Sequence, residues 1–525
     1  MFSERYCSDS EIKPELFPED IFRKPIYICP TTGQVKNIKE DPMRFKRSTA
    51  LITALFMTLI LVLPVNSPAI TIAEEEELSR EFLKVIDKRF NLIKDPYIVK
   101  YVNSVGQKIL SALPPQPFPY RFYVIKADVY NAFATPAGHI FIYSGLLEAM
   151  ESEDELAGIL AHEIAHVQCR HISDNIERSS KLNLAALAGI IAGAFLGASG
   201  ASAAANALTI GSTAAVHTLQ LAFSREDELQ ADQIGLENLK NSGYNAEGLL
   251  TMLKKIREKR WFGPEQIPTY MTTHPAAEDR ISYIDGWLET HGHPESTEDP
   301  GEFKKARMRL LALFGDETKA LQHFKNELNK QPDDAMAHYG YGLALGRAGH
   351  RTEAAEHLKI ALNKNPLDPY LLKELGRLYF RDGKLPEALT VLQGSINLSN
   401  EDPESLFILG RIQMELGRLE EAADSFEMVI ANHREYPDAY YFLGEAYGKL
   451  GRLEDAHYFL GIYAEKNRDY RNAIFHLEKA LQSTSDPNRR EEIEKRLKTL
   501  RKDFADERRE IRMKQQFVRD RNFRY

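Results

Sequence analysis

A period of 34 residues runs through the second half of this chain and restricts its fold more than any other feature. Alanines mark the period, at Ala320, Ala354, Ala388, Ala422 and Ala456. A large apolar residue follows each alanine by four positions, and a glycine precedes each of the last four alanines by twelve. Because a unit of this size cannot bury its apolar face alone, neighbouring units must stack. The second half is therefore expected to be a curved helical solenoid.

This period resembles the tetratricopeptide repeat, a helix-turn-helix unit whose small residues lie where the paired helices cross. The resemblance covers about residues 316–486. Ala473 follows Ala456 at half the period, which indicates that one helix serves as the second of one unit and the first of the next. Such arrays have a concave face suited to gripping protein segments.

The end of the chain has a different pattern. Residues 487–525 alternate basic and acidic side chains at helical spacing. This predicts a charged C-terminal helix that caps the solenoid, and a site for an anionic partner is the alternative interpretation.

The N-terminal part carries the pattern of a secretory signal peptide over residues 43–73. From Met43, a basic start is followed by an apolar run of roughly fifteen residues and by small residues ahead of an acidic segment. The run is shorter than the roughly 20 residues of a spanning helix, and an uncleaved anchor is the alternative. We interpret residues 1–42 as an N-terminal extension that is either a misassigned start or a tail removed with the signal. The mature chain is expected in the periplasm.

Residues 74–297 are predicted to form a separate α+β domain, because 525 residues are too many for one compact core. Apolar spacing from Leu78 to Leu113 predicts two helices before the first strand, and the segments starting at Arg121 and Gly138 predict strands of a small sheet. Between Lys181 and Arg225 no residue is charged, and alanine and glycine dominate. Tightly packed buried helices are one interpretation of this stretch; contact with a membrane surface or a mobile cover over the active site is the other.

The segment LAHEIAHVQCRH, from Leu160 to His171, predicts a metal site. Residues four apart share a helix face, so His162 and His166 can both direct an imidazole at one ion, with Glu163 beside them. A catalytic zinc takes three protein ligands and leaves the fourth position to water. The metzincin pattern for the third ligand requires glycine at position 169 and histidine at 172, where this chain has cysteine and isoleucine. A glutamate on a later helix remains as the candidate for the third ligand.

The acidic segment SREDELQAD offers that glutamate. Glu228 and Asp232 are four apart and share a helix face. Glu228 can therefore ligate the metal while Asp232 accepts a hydrogen bond from the other nitrogen of a ligand histidine. Glu226 and Asp227 are then expected to point to solvent.

These segments together resemble the HtpX and CAAX-prenyl-protease type zinc metallopeptidases over roughly Glu74 to Thr290. HEIAH from His162 and ELQAD from Glu228 match the HExxH and ExxAD signature of that family. NAFATPAGHIFIYSGLL is similar to the strand before its metal helix, and TTHPAAEDRI to its late His-Pro segment. One departure is Ala137, where the family more often has a glycine.

The resemblance implies one zinc ion per chain, held by His162, His166 and Glu228, with Glu163 as the general base. A signal peptide and C-terminal repeats narrow it to the BepA-like periplasmic peptidases that assist outer-membrane protein assembly. The late segment leaves two roles open. His274 either reaches the zinc as a fourth ligand, or hydrogen-bonds the oxyanion, or caps a turn. Arg280 either stabilises the same oxyanion or pairs with a carboxylate.

The sequence thus predicts a mostly α protein: a zincin-like α+β metallopeptidase domain with a small sheet, followed by a tetratricopeptide solenoid. Its leading function is cleavage of unfolded or misassembled envelope proteins, with the repeats docking substrate or the outer-membrane assembly machinery. If the strand from His139 to Tyr143 lies at a sheet edge, it is expected to hold extended substrate by backbone pairing. The alternative is a repeat chaperone or adaptor with a latent zinc domain. A net charge of −9 and ordinary composition argue against nucleic-acid binding.

Overall fold

The computed structural model describes residues 70–179, 223–259, 269–292, 300–399 and 402–522. Residues 1–42, nearly all of the predicted signal peptide and nearly all of the charge-free stretch lie outside the described residues. The described part is mainly helical with one small mixed sheet, so the predicted fold class is confirmed. Within this part of the chain, no helix has the length and apolar character needed to cross a bilayer.

The first domain alternates helices with short strands. Its described helices are α1 (Ile72–Arg89), α2 (Pro96–Ser111), α3 (Ser144–Ala149), α4 (Glu153–Gln168), α5 (His171–Ser179), α6 (Arg225–Ser242), α7 (Glu247–Lys259), α8 (Thr269–Thr273) and α9 (Ala277–His291). Its strands are β1 (Leu92–Ile93), β2 (Arg121–Ile125), β3 (Ala132–Thr135) and β4 (His139–Tyr143). The prediction of two helices before any strand was wrong, because β1 lies between α1 and α2 and pairs with β2.

The strand order β1-β2-β4-β3 places β4 in the interior of the sheet. It pairs in parallel with β2 and antiparallel with β3. The expectation that His139–Tyr143 could lie at an edge was therefore wrong. The edge strand on this side is β3, which was not predicted as a separate strand. Four residues are enough for β3 because the tight turn after it returns the chain directly onto β4.

Ala137 forms the turn between β3 and β4 with a φ of 61°, in the left-handed region. A residue with a Cβ atom is strained there by about 1 kcal/mol relative to glycine. This explains why a glycine suits the position, and why the alanine changes the turn without displacing the register of Thr135 opposite His139.

The repeats begin after a helix that belongs to both domains, α10 (Pro300–Phe314). Phe303, Ala306 and Leu310 of α10 pack into the core of the first domain. Met308 and Ala312 pack into the first core of the solenoid. The two domains therefore share a continuous apolar contact through a single helix.

Paired helices of similar length make up the solenoid. They are α11 (Glu317–Lys330), α12 (Ala335–Arg347), α13 (Arg351–Lys364), α14 (Pro369–Arg381), α15 (Leu385–Leu398), α16 (Pro403–Glu415), α17 (Leu419–Asn432), α18 (Pro437–Lys449), α19 (Leu453–Lys466) and α20 (Tyr470–Ser483). Aspartates at the same repeat position cap α12, α14 and α16 by accepting backbone N–H groups of the first turn: Asp334, Asp368 and Asp402.

The periodic glycines allow the paired helices to touch. A Cβ added at Gly376 would lie 2.5 Å from the Leu392 side chain, and one at Gly410 would lie 2.7 Å from Phe426. Because these apolar side chains come from the partner helix of each pair, a larger residue would force the helices apart. The last helix, α21 (Pro487–Asn522), covers the end of the array with an apolar stripe that includes Leu497.

Two histidine pairs lie at related positions in the solenoid. His338 Nε2 donates to the carbonyl of Pro332, so its Nδ1 accepts a hydrogen bond from His357 Nδ1 at 2.7 Å. The Nδ1 atoms of His457 and His476 lie 2.9 Å apart in the same way. Protonating both rings of a pair would bring two N–H groups face to face. Burial, and then the neighbouring imidazole, lower the pKa of His357 and of His476.

These pairs predict a solenoid that loses stability in mild acid. Because the folded pKa lies below the unfolded value of about 6.5, the unfolded chain binds more protons as the pH falls, and stability is lost below about 6.5. Replacing both His357 and His476 by glutamine should reduce the fall in thermal midpoint between about pH 7.5 and about pH 5.5 by a few degrees. The exposed His350→Gln is the matched control. An equal fall in wild type and double variant would contradict the prediction.

Candidate metal centre

Helix α4 runs through the middle of the first domain and carries the HEIAH segment. Its N-terminus is fixed by Ser152, whose hydroxyl accepts the backbone N–H of Glu155. It packs against α6 and α7 and against the sheet, so nearly its whole length is buried. His162, Glu163 and His166 have no exposed surface. Three polar side chains are thus held inside an apolar core, where they need partners.

Helix α6 brings Glu228 and Asp232 to the same place. It begins with a capping box in which Ser224 and Asp227 exchange hydrogen bonds. Asp227 therefore caps the helix instead of pointing freely to solvent as expected, whereas Glu226 is exposed. One turn further, Glu228 and Asp232 are fully buried and face α4.

Four potential metal donors converge: His162, His166, Glu228 and His274, with ligand atoms all within 4.8 Å of one another. The Nε2 atoms of the first two histidines lie 3.1 Å apart. Glu228 Oε1 lies 3.3 Å from His166 Nε2, and Oε2 lies 3.5 Å from His162 Nε2. His274 Nδ1 is 3.0 Å from Glu228 Oε1 and 3.4 Å from His162 Nε2.

This donor set fits zinc. The donors of a tetrahedral site with bonds of 2.0–2.1 Å lie about 3.3 Å from one another, and imidazole and carboxylate are zinc's usual donors. The separations found here, from 3.0 to 3.5 Å, match that spacing. Burial lowers the pKa of His166 well below its usual value, so its imidazole is neutral and can donate a lone pair. Burial alone would also lower the pKa of His162, but its contacts with Asp232 and Glu228 raise it to about 9, so this ring must lose a proton when it binds a metal. Burial alone would raise the pKa of Glu228, but the charge of Arg280 holds it well below the usual value, so it stays a carboxylate.

A second layer of polar contacts orients the donors. Asp232 Oδ1 lies 2.9 Å from His162 Nδ1. Arg280 donates to both oxygens of Asp232 at 2.7 Å and lies 2.6 Å from Glu228. Two roles were left open for Arg280, and the contacts observed match the second, pairing with a carboxylate. In zinc proteins, such contacts fix the tautomer and direction of a ligand imidazole.

His171 is part of this layer, although its position in the sequence gives no spacing argument for a role at the metal site. It is buried, and its Nδ1 lies 2.9 Å from His166 Nδ1, while its Nε2 lies 3.0 Å from Gln230 Oε1. Arg170 has a φ of 57° and interrupts the helix between His166 and His171. The five-residue spacing of the two histidines therefore does not predict that they share a helix face. No sequence signal indicates this contact.

Aromatic rings enclose the cluster. Phe223 stacks on His166 with ring centroids 3.8 Å apart, and Tyr270 stacks on His274 at 4.3 Å. Neither aromatic was identified from the sequence. Tyr270 precedes His274 by four residues, which is the one spacing signal that could have found it.

Glu163 stands beside the donors without being one of them. Neither of its oxygens has a hydrogen-bond partner among the described residues, and Oε1 lies 3.5 Å from His274 Nε2. Burial raises the pKa of this carboxyl. An unsatisfied buried carboxyl costs stability, so Glu163 is a candidate for a chemical role.

Comparison with known proteins agrees with this geometry. Residues 94–288 match the family model described as Peptidase family M48, and residues 342–405 and 407–469 match the tetratricopeptide repeat. The chain is 27% identical over 288 residues to a protein of Yersinia pestis named "Beta-barrel assembly-enhancing protease". These 288 residues cover 54% of this chain and 59% of that protein. The protein of that name from Escherichia coli K12 is 26% identical over 245 residues, 47% of this chain and 50% of its own.

A "Mitochondrial metalloendopeptidase OMA1" of Saccharomyces cerevisiae is 31% identical over 212 residues, which cover 39% of this chain and 54% of that protein. The chain thus spans little more than half the length of the curated relatives it matches. The matched region contains α4, α6 and the His274 segment. The first domain of this chain is a peptidase family M48 domain, and tetratricopeptide repeats follow it.

Proposed function

We propose that this protein is an exported zinc-dependent endopeptidase that cleaves unfolded or misassembled envelope proteins. The observation that carries the proposal is Glu163, which is buried beside the four donors and has no hydrogen-bond partner in the described part of the chain. A purely structural zinc site has no use for such a carboxyl. The names of the relatives, which refer to β-barrel assembly and to metalloendopeptidases, support the substrate class. The signal-like segment supports a periplasmic location.

In this proposal His162, His166 and Glu228 hold one zinc ion, and Asp232 and Arg280 keep the first histidine and the carboxylate in position. Zinc, when bound, polarises a peptide carbonyl and lowers the pKa of water toward about 7. An oxygen of Glu163 takes a proton from the water that attacks the carbonyl carbon. The same oxygen delivers that proton to the departing amide nitrogen as the C–N bond breaks.

Substrate would be held by β3 rather than by β4. Ala132–Thr135 pairs with β4 on one side and has no second strand among the described residues. All four residues of β3 are buried, so an added substrate strand would pair here, close to α4, once this edge is uncovered. Folded proteins rarely offer a free strand, so this recognition selects unfolded chains. The repeats would dock the substrate or an outer-membrane assembly partner.

Metal removal tests the proposal. The purified chain should contain one zinc per molecule and cleave an unfolded β-barrel protein while leaving the same protein untouched once it is folded in detergent. Stripping with a chelator should abolish cleavage, and adding zinc should restore it. Cleavage that survives complete zinc removal would overturn the proposal.

His274 supports a second state, in which the enzyme is latent. As a fourth donor it occupies the position that water needs, and this closed set is also the observation that favours the adaptor alternative. His274→Ala should raise the cleavage rate by about tenfold, the gain expected when a state closed about 90% of the time is opened. The exposed His291→Ala on α9 is the control. A lower rate at unchanged zinc content would instead place His274 in stabilising the transition state, and inactivity of both wild type and variant would favour the adaptor.

A further inference from the structure

A cavity of about 550 Å³ lies where the first domain meets the inner ends of the repeat helices. One wall is the start of α2, with Lys94 and Asp95, and the other is formed by α12, α14 and α16. Its volume lies within the roughly 300–1,000 Å³ range of sites that enclose a small ligand or a short segment. The metal donors lie elsewhere, on α4, α6 and the segment after α8.

The acidic side chains of the cavity are already engaged by basic ones. Asp95 and Glu374 both contact the buried Arg309, at distances down to 2.6 and 2.7 Å. Glu404 pairs with Arg377 and lies 3.5 Å from Lys373. These carboxylates are therefore neutralised within the protein and have little attraction left for a cation.

Basic groups on the same walls remain available. Lys94 and Arg381 are exposed, and neither makes an ion pair or hydrogen bond with any described residue. Arg347 is less available, because its Nε lies 3.8 Å from Glu317 Oε2 and its Nη1 donates to the carbonyls of Ala312 and Gly315, which fixes its guanidinium at the wall. Arg347 and Arg381 are 34 residues apart, at the same position of successive repeats, and so form a row.

Apolar side chains separate these charges. Leu343 and Leu378 come from the repeats, and Phe314 comes from the end of α10. A surface with spaced cations on an apolar floor suits a ligand that alternates carboxylates with apolar groups, because arginine binds carboxylates through paired N–H groups. A compact anion such as phosphate would use the charges and leave the apolar floor without a contact.

We propose that this cavity binds a short extended peptide segment that carries acidic side chains. The inference deepens the docking role proposed above for the repeats by naming the chemistry of the segment they hold. Because α2, which begins at the cavity wall, packs against α4, a bound segment lies one helix away from the metal donors.

Fluorescence anisotropy with the full zinc-loaded chain tests the proposal. The probe is a labelled, C-terminally amidated hexapeptide of alternating aspartate and leucine, and Glu163→Gln is used as background so that no cleavage interferes. The peptide should bind, and replacing its aspartates by asparagine should weaken binding by about tenfold or more. Binding should also weaken as salt is raised, because the contacts are between charges.

The double variant Lys94→Glu/Arg381→Glu should weaken binding of the acidic peptide by about tenfold. The double variant Lys449→Glu/Lys498→Glu is the matched control, since it makes the same charge change at two exposed residues away from the cavity, and Lys449 has the position of Arg381 two repeats further on. Equal binding of the aspartate and asparagine peptides, equal loss in the control, or equally tight binding of inorganic phosphate would each overturn the proposal. Because binding is read without proteolysis, such a result leaves the peptidase proposal standing.

Discussion

Glu163→Gln is expected to lower the rate of peptide-bond cleavage by about 10²-fold or more while the zinc content stays at the wild-type level. Glutamine has the size of glutamate but no oxygen basic enough to take a proton from water. The side chain is outside the four-donor set, so its replacement removes the proton acceptor without removing a ligand. It is also buried and makes no hydrogen bond with the residues that the structure describes, so the neutral amide costs the fold little.

The measurement is the initial rate on an unfolded β-barrel protein, together with zinc content by atomic spectroscopy. Glu226→Gln is the matched control, because Glu226 is an exposed glutamate close to the donors in sequence on α6. It should cleave at the wild-type rate. Wild-type proteolysis by Glu163→Gln would remove Glu163 from the role of base.

Arg309→Met is expected to lower the free energy of unfolding by about 3–5 kcal/mol. Arg309 has no exposed surface and joins the two domains. It contacts Asp95, the capping residue of α2, and Glu374 of α14, and donates to the hydroxyl of Tyr339 at 3.1 Å. Burial alone would raise the pKa of Glu374, but Arg309 holds it below the usual value. Removing the arginine leaves Asp95 without an ion-pair partner among the described residues and leaves Glu374 with Arg377 alone, whose Nη1 lies 3.0 Å away.

Lys304→Met on the same helix is the control, because Lys304 pairs with Asp334 at 3.1 Å on the surface, where such a pair contributes at most about 1 kcal/mol. Urea unfolding of both variants measures the difference. Adding Asp95→Asn and Glu374→Gln to Arg309→Met should recover much of the loss, because the buried charges are then removed together and asparagine still caps α2. Equal free energies of unfolding for Arg309→Met and Lys304→Met would show that the buried network contributes no more stability than the surface pair.

The repeats were predictable because their information is local. The alanine and glycine positions repeat at 34 residues, and each glycine lies against an apolar side chain of its own helix pair. Helix bounds follow from caps within a few residues of the ends, such as Asp368 and Asp402. The HEIAH helix and the ELQAD helix were found in the same way, from four-residue spacing, and the structure brings their buried faces together.

The order of the strands was not predictable from spacing. Alternation and β-branched residues mark β2 and β4, but nothing local says that the short segment Ala132–Thr135 takes the edge. Pairing depends on which backbone groups meet after the chain has turned, and that turn rests on a strained Ala137. The edge strand is therefore β3 and not β4, and the substrate strand is proposed to pair with β3.

The sequence by itself determined the elements that depend on residues near one another: the helices, their caps, the 34-residue stacking and the polar pairs on α4 and α6. Only the tertiary structure decided which side chains from distant segments meet, namely His274 among the donors, His171 behind His166, and Arg309 between the domains. The physical reason is that periodicity records which face of an element is buried. What that face is buried against is set by the packing of the whole chain.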